Sequence, residues 1–124
     1  MEEYFIRITE DNAVETLHTA EPADFHFFNE AIGSRFFEIV RFGKFTKQVL
    51  VIDEEGRLRE RGVNMIASLL ARQPIFGTVL IAKEGERDGE LDLIGFDLKS
   101  VTAARVALHV SLMHSGLFED AQPE

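Results

Sequence analysis

KQVLVIDEEG, residues 47–56, decides the fold. Lys47 to Asp53 is a near-continuous apolar run, which predicts a buried strand. Asp53-Glu54-Glu55-Gly56 reads as a type I turn with glycine in its last position. A short return strand over Arg57 to Arg61 is expected to follow it. IFGTVLIAK, residues 75–83, is a second strong strand. Between the two, Asn64 is placed to cap a short helix from Met65 to Arg72, with Ile66, Leu69 and Leu70 as its apolar side and Pro74 as its stop.

Outward from this centre the same alternation of strand and helix continues. Tyr4 to Thr9 is β-rich, Glu10-Asp11-Asn12 is turn chemistry, and Val14 to Thr19 pairs back as a hairpin. Phe25, Phe28 and Ile32 share one helical face, predicting a helix over residues 22–32 with Pro22 in its first turn and Gly33 as its left-handed terminus. Arg35 to Phe42 reads as a strand broken by Gly43. Arg87-Asp88-Gly89-Glu90 carries the Asp-Gly signature of a tight hairpin, and Glu90 to Ile94 alternates as its second strand. Asp97 or Ser100 caps a final helix reaching about Ser115, with Val101, Ala104, Leu108 and Leu112 as its stripe and Gly116 closing it. The order predicts a single α+β domain over residues 1–116: a mostly antiparallel sheet of about five to six strands with two or three packed helices. Residues 117–124 are expected to form a frayed acidic tail.

Composition narrows the function. The chain has 124 residues, 45% hydrophobic and 28% charged, and no cysteine. Thiol catalysis, disulfides and cysteine-held metals are thereby excluded. No run approaches the 18 apolar residues of a membrane span. The N-terminus, Met1-Glu2-Glu3-Tyr4, is acidic where a signal peptide would be basic, so a cytoplasmic protein is expected. Net charge is −9. Residues 1–34 carry −7, residues 35–83 carry +4, and residues 84–124 carry −6. Direct nucleic-acid binding and attachment to an anionic membrane are both disfavoured, because each surface repels an acidic protein.

Motifs of catalysis are missing. His18, His26, His109 and His114 fall in different elements without metal-ligand spacing, so no metal and no cofactor is expected. The Asp53 turn is no calcium loop, since Arg57 and Arg59 stand where oxygen ligands belong. There is no phosphate loop, dinucleotide fingerprint or nucleophile elbow, and the chain reads as a non-enzyme. Two basic clusters offer an alternative. Arg57, Arg59 and Arg61 would share one face of a strand, where they either hold phosphates or charge an edge against pairing. Lys44 and Phe45, in Arg41-Phe42-Gly43-Lys44-Phe45-Thr46-Lys47, interleave cations with aromatics as a nucleotide-stacking segment would. Eleven phenylalanines include Phe25, Phe27 and Phe28, which cannot all face one side of a helix. Either some are exposed, or helices cover both faces of the sheet.

Lys47 to Gly56, Arg57-Leu58, Asn64 with its short helix, Ile75 to Ile81 and the Asp88-Gly89-Glu90 turn, in that order, resemble a small bacterial and phage domain. It is the domain of unknown function of family number 3846. The resemblance covers about residues 4–96 and marks Asn64 and Gly77, both with structural roles as cap and close-packing glycine. It implies a protein of phages, plasmids or their hosts, and carries no activity. Small acidic proteins of mobile elements frequently bind and block host defence machinery. Together with the charge, this gives the expected function: a non-enzymatic acidic interaction protein blocking a host defence or nucleic-acid-handling protein. The candidate contact residues are Glu10, Asp11, Glu15, Glu86, Asp88 and Glu90. A small-ligand module for a nucleotide or other phosphate compound, using Arg57, Arg59, Arg61, Lys44 and Phe45, is the alternative.

Overall fold

The computed structural model describes residues 2–43 and 47–115. Its elements run β1 Glu3–Ile8, β2 Val14–Thr19, α1 Phe25–Ile32, β3 Phe37–Arg41, β4 Gln48–Asp53, α2 Met65–Ala71, β5 Val79–Arg87, β6 Glu90–Ile94 and α3 Leu98–Ser115. The fold is α+β, with six strands in one antiparallel sheet ordered β2-β1-β5-β4-β3 and with β6 pairing β5. The expected tail, residues 117–124, lies outside the described residues, as does Gly116.

The apolar run at 47–53 becomes β4, flanked by β3 and β5 and buried from Val49 to Asp53. A strand with neighbours on both edges and layers on both faces has no wet side, so it does not alternate. Helices do cover both faces. Phe28 and Ile32 of α1 pack with Phe5, Val49, Val51, Leu80 and Ala82 on one face. Ile66 of α2 and Val101, Leu108 and Leu112 of α3 pack with Ile6, Ile8, Leu50 and Ile81 on the other. This resolves the phenylalanines. Phe28 is buried and Phe27 half-buried, each against Phe5, while Phe25 and Phe36 stay 54% and 52% exposed.

Three boundaries differ from the sequence reading. The first helix starts at Phe25, because the Asp24 side chain accepts from the Phe27 amide, leaving Pro22 outside. Its end is as expected, with Gly33 left-handed at φ 70°. The second strong strand starts at Val79, four residues late. Ile75 is held by Ser68 and Asn64 instead of a sheet partner, and Gly77 at φ 86° turns the chain before it can pair. Residues 57–61 form no strand. The chain winds through turns from Glu54 to Glu60, and Leu58 is 84% exposed, with no second face to bury it.

Asn64 binds the layers together. It is fully buried. Its Oδ1 accepts from the Ala67 amide at 2.9 Å, capping α2 as expected. Its Nδ2 donates to Ile8 O at 3.0 Å and Gly77 O at 2.9 Å, so the cap also ties α2 to β1 and to the entry of β5. Every polar atom of the side chain is thereby partnered, the condition for burying an amide at little cost.

Candidate interaction surfaces

The six candidate acidic residues fall in three places. Glu10 and Asp11 stand in the β1–β2 turn, where Glu10 accepts from the Gly62 amide and Asp11 from the Thr9 hydroxyl. Glu15 lies on β2 and accepts from Arg7 Nε at 2.8 Å. Glu86, Asp88 and Glu90 stand at the tip of the β5–β6 hairpin. Val79 at the start of β5 pairs with Ile8, beside the first group, and Arg87 ends the strand eight residues on. That is about 26 Å of extended chain. The first and third groups therefore occupy opposite ends of the sheet, and no single face collects all six.

The third group stands on a projecting ribbon. The β4–β5 pairing ends at Gln48↔Lys83, and from Gly85 on the only strand partner of β5 among the described residues is β6. Asp88 at φ 56° and Gly89 at φ 81° make the left-handed pair that a two-residue hairpin turn requires, as Asp-Gly predicted. The base of the ribbon is neutralised. Arg41 grips Glu84 with two bonds of 2.7 Å, and that guanidinium holds the Glu84 carboxyl below its usual range. Arg87, which stands at the tip between Glu86 and Asp88, turns its guanidinium back to Asp92 at 3.0 Å and to Glu3 at 2.9 Å. Glu3 also accepts from the Ala23 and Gly95 amides. Burial, the largest single influence on Glu3, raises its pKa. The two amides and Arg87 outweigh it, and the net shift is downward. Gly95 allows this approach, since a Cβ there would stand 2.7 Å from the Glu3 Cβ. Glu86, Asp88 and Glu90 themselves have no ion pair among the described residues.

The arginine cluster is arranged differently from its expected row. Asp53 is buried, its side chain fully enclosed. Its Oδ1 accepts from the Glu55 amide, and its Oδ2 from Arg61 Nε at 2.8 Å, with Arg59 Nη1 at 3.6 Å. Arg59 and Arg61 also donate to the carbonyl of Gly33, fastening the end of α1 to this turn. A buried carboxylate draws its counter-ions inward. Two of the three arginines are thus structural struts, while Arg57 remains without an ion pair among the described residues. It lines a cleft of about 330 Å³ with Ile52, Ile75, Phe76, Glu38 and Glu54. Glu38, Glu54 and Asp53, three carboxylates to one guanidinium in its lining, leave that cleft with the wrong sign for a phosphate. Lys44 and Phe45 lie outside the described residues.

The contacts of Arg41 with Glu84 and of Arg87 with Glu3 had no signal in the sequence, because their partners are 43 and 84 residues away. Among the described residues, no three His, Asp or Glu side chains gather as a metal site, and no helix is long and apolar enough to cross a membrane.

No family model matches the chain, and no curated protein does. Among solved structures it is similar to part of the small RNA methyltransferase HEN1, at 18% identity and a TM-score of 0.58. The match covers 81% of this chain and 15% of that one. At that identity the likeness is one of fold, and it says that this arrangement of sheet and helices also occurs as a small part of a much longer protein.

Proposed function

We propose that this chain is a non-enzymatic interaction module that presents the β5–β6 ribbon to the basic surface of another protein. The reading rests on one observation. Glu86, Asp88 and Glu90 stand within five residues of each other, in no ion pair among the described residues, on a ribbon that runs past the sheet. Bare like charges repel one another, and a partner bearing lysines and arginines relieves that repulsion while steering its own approach. Proteins that handle nucleic acid, defence complexes among them, carry such surfaces because they must neutralise phosphates. An acidic module of a phage or plasmid that occupies such a surface blocks it.

The test is capture from host extract by the wild-type chain and by the Glu86→Gln, Asp88→Asn, Glu90→Gln triple variant, with captured proteins identified by native mass spectrometry. The three side chains are at the surface, so the variant keeps its fold. The expected result is one protein held by the wild type, released as salt rises, and bound at least about tenfold more weakly by the variant. Capture that neither salt nor the triple variant weakens overturns the reading.

A further inference from the structure

A second surface has the opposite character. The 18 residues of α3 contain no aspartate or glutamate, nor do the seven of α2, in a chain with 22 acidic residues. The inner stripe of α3, Val101, Leu108 and Leu112, is buried against the sheet. An outer stripe of Val106, Val110 and Met113, spaced i, i+4 and i+7, is 60%, 45% and 54% exposed. Leu98 is exposed as well, and a groove of about 580 Å³ runs beside it along α3, floored by Thr16 of β2. On the same side of the sheet, Met65 and Leu69 of α2 are exposed. An ordinary surface helix confines its apolar residues to one stripe, whereas α3 has two.

We infer that this face is where two copies of the chain meet, around a twofold axis that lays one α3 against the other. Charge selects the occupant. A basic partner would be met by carboxylates, and neither helix carries one; Asp97, just ahead of α3, accepts from the Ser100 amide. A polyanion would be met by several free cations, yet of the lysine and arginine on α3, Lys99 stands near the Asp97 carboxylate at the helix start and Arg105 is turned onto β2, donating to Thr16 Oγ1 at 2.9 Å and to Val14 O. A second copy carries the same −9 and is repelled by every acidic surface. Two such copies can make close contact only where both lack acids, and the acid-free helices are also the ones with exposed apolar stripes. Twofold symmetry makes the surface its own complement, and the i, i+4, i+7 ridge is the form that packs between ridges of a like helix. The dimer leaves both acidic ribbons free, and it stands or falls independently of what they bind.

Sedimentation velocity of the full chain, from micromolar to near-millimolar concentration at low and high salt, is the test. The expected result is a monomer–dimer equilibrium that salt strengthens, because screening weakens the repulsion between two negative bodies. That is the opposite of the salt response expected at the ribbon. Val106→Asp and Val110→Asp, each placing a like charge at the contact twice over, are expected to raise the dimer Kd at least about tenfold, with an unchanged circular dichroism spectrum. Leu91→Asp, at an exposed site on β6, is expected to leave it unaltered. A monomer at every concentration in high salt overturns the inference, as does a dimer that Val106→Asp and Val110→Asp leave intact.

Discussion

Replacing Asn64 separates capping from layer fastening. Asn64→Ala removes a cap, typically about 1 kcal/mol. It also strips a donor from the carbonyls of Ile8 and Gly77 in a fully buried site, adding about 1 to 2 kcal/mol. The total is about 2 to 3 kcal/mol. With a urea m-value of about 1.5 kcal/mol per molar, the unfolding midpoint falls by about 1.3 to 2 M. Asn64→Asp is the sharper test. A carboxylate still accepts from the Ala67 amide, so if capping were the whole role this variant would match the wild type. Instead, it aims a negative oxygen at two carbonyl oxygens 2.9 and 3.0 Å away. Burial and those oxygens push the introduced carboxyl up, because each disfavours its charged form. Its folded pKa then lies above the unfolded value of about 3.9. The variant's deficit relative to wild type is smallest below that unfolded value, grows as pH rises through the folded pKa, and is constant above it. Urea titrations of both chains from pH 3 to pH 8 measure the difference directly. Asn64→Asp within about 0.5 kcal/mol of wild type at pH 7 would refute the reasoning, since surface-like tolerance is impossible for a layer fastener.

Three further variants test the buried carboxylates and their surroundings. Arg61→Ala is expected to cost about 2 to 3 kcal/mol in urea unfolding, somewhat less than a fully broken buried pair because Arg59 and the Glu55 amide still face Asp53. Arg57→Ala, with no ion pair to lose among the described residues, is expected within about 0.5 kcal/mol of wild type. Equal costs for the two would contradict the inward-turned arrangement. Glu3 has its folded pKa lowered, so its contribution is complete above its unfolded pKa and is lost as pH falls through the folded value. Glu3→Gln is therefore expected to cost about 2 kcal/mol at pH 7 and progressively less in acid, measured as the gap between wild-type and variant thermal midpoints.

The elements whose identity depends on local pattern were legible in the sequence. β4 announced itself by an unbroken apolar run, the β5–β6 turn by Asp-Gly, and α2 by Asn64 ahead of its apolar residues. The arginine row was not legible, because Arg57-Leu58-Arg59-Glu60-Arg61 has the period of a strand. What overrides that period is Asp53, a charge with no access to water, which only the folded chain reveals. Ile75 and Phe76 read as strand for the same reason of composition, and Gly77 together with the reach of Asn64 withheld them from the sheet. The acidic residues were visible as a count but not as places. Whether Glu10 and Glu86 share a face depends on which strand lies between which, and strand order is written in no local window. The outer stripe of α3 was hidden behind the inner one, since a helix apolar on two sides shows no single periodic signal.

The position of β5 bears on how the chain reaches this structure. It is the seam of the sheet, with β1 on one edge and β4 on the other, yet it begins only at Val79. During synthesis the segments of the β1–β2 and β3–β4 hairpins leave the ribosome before the strand that joins them. Each hairpin, once paired, has an unpaired edge, β1 with Phe5, Ile6 and Ile8 in one and β4 with Val49, Leu50, Val51 and Ile52 in the other. Until β5 emerges from the ribosome, nothing but a wrong partner can satisfy those edges, and the sheet closes in one late step that joins segments far apart in the chain. The hazard in the life of this protein therefore falls before it is finished, and the strand that ends it is the one that goes on to form the acidic ribbon.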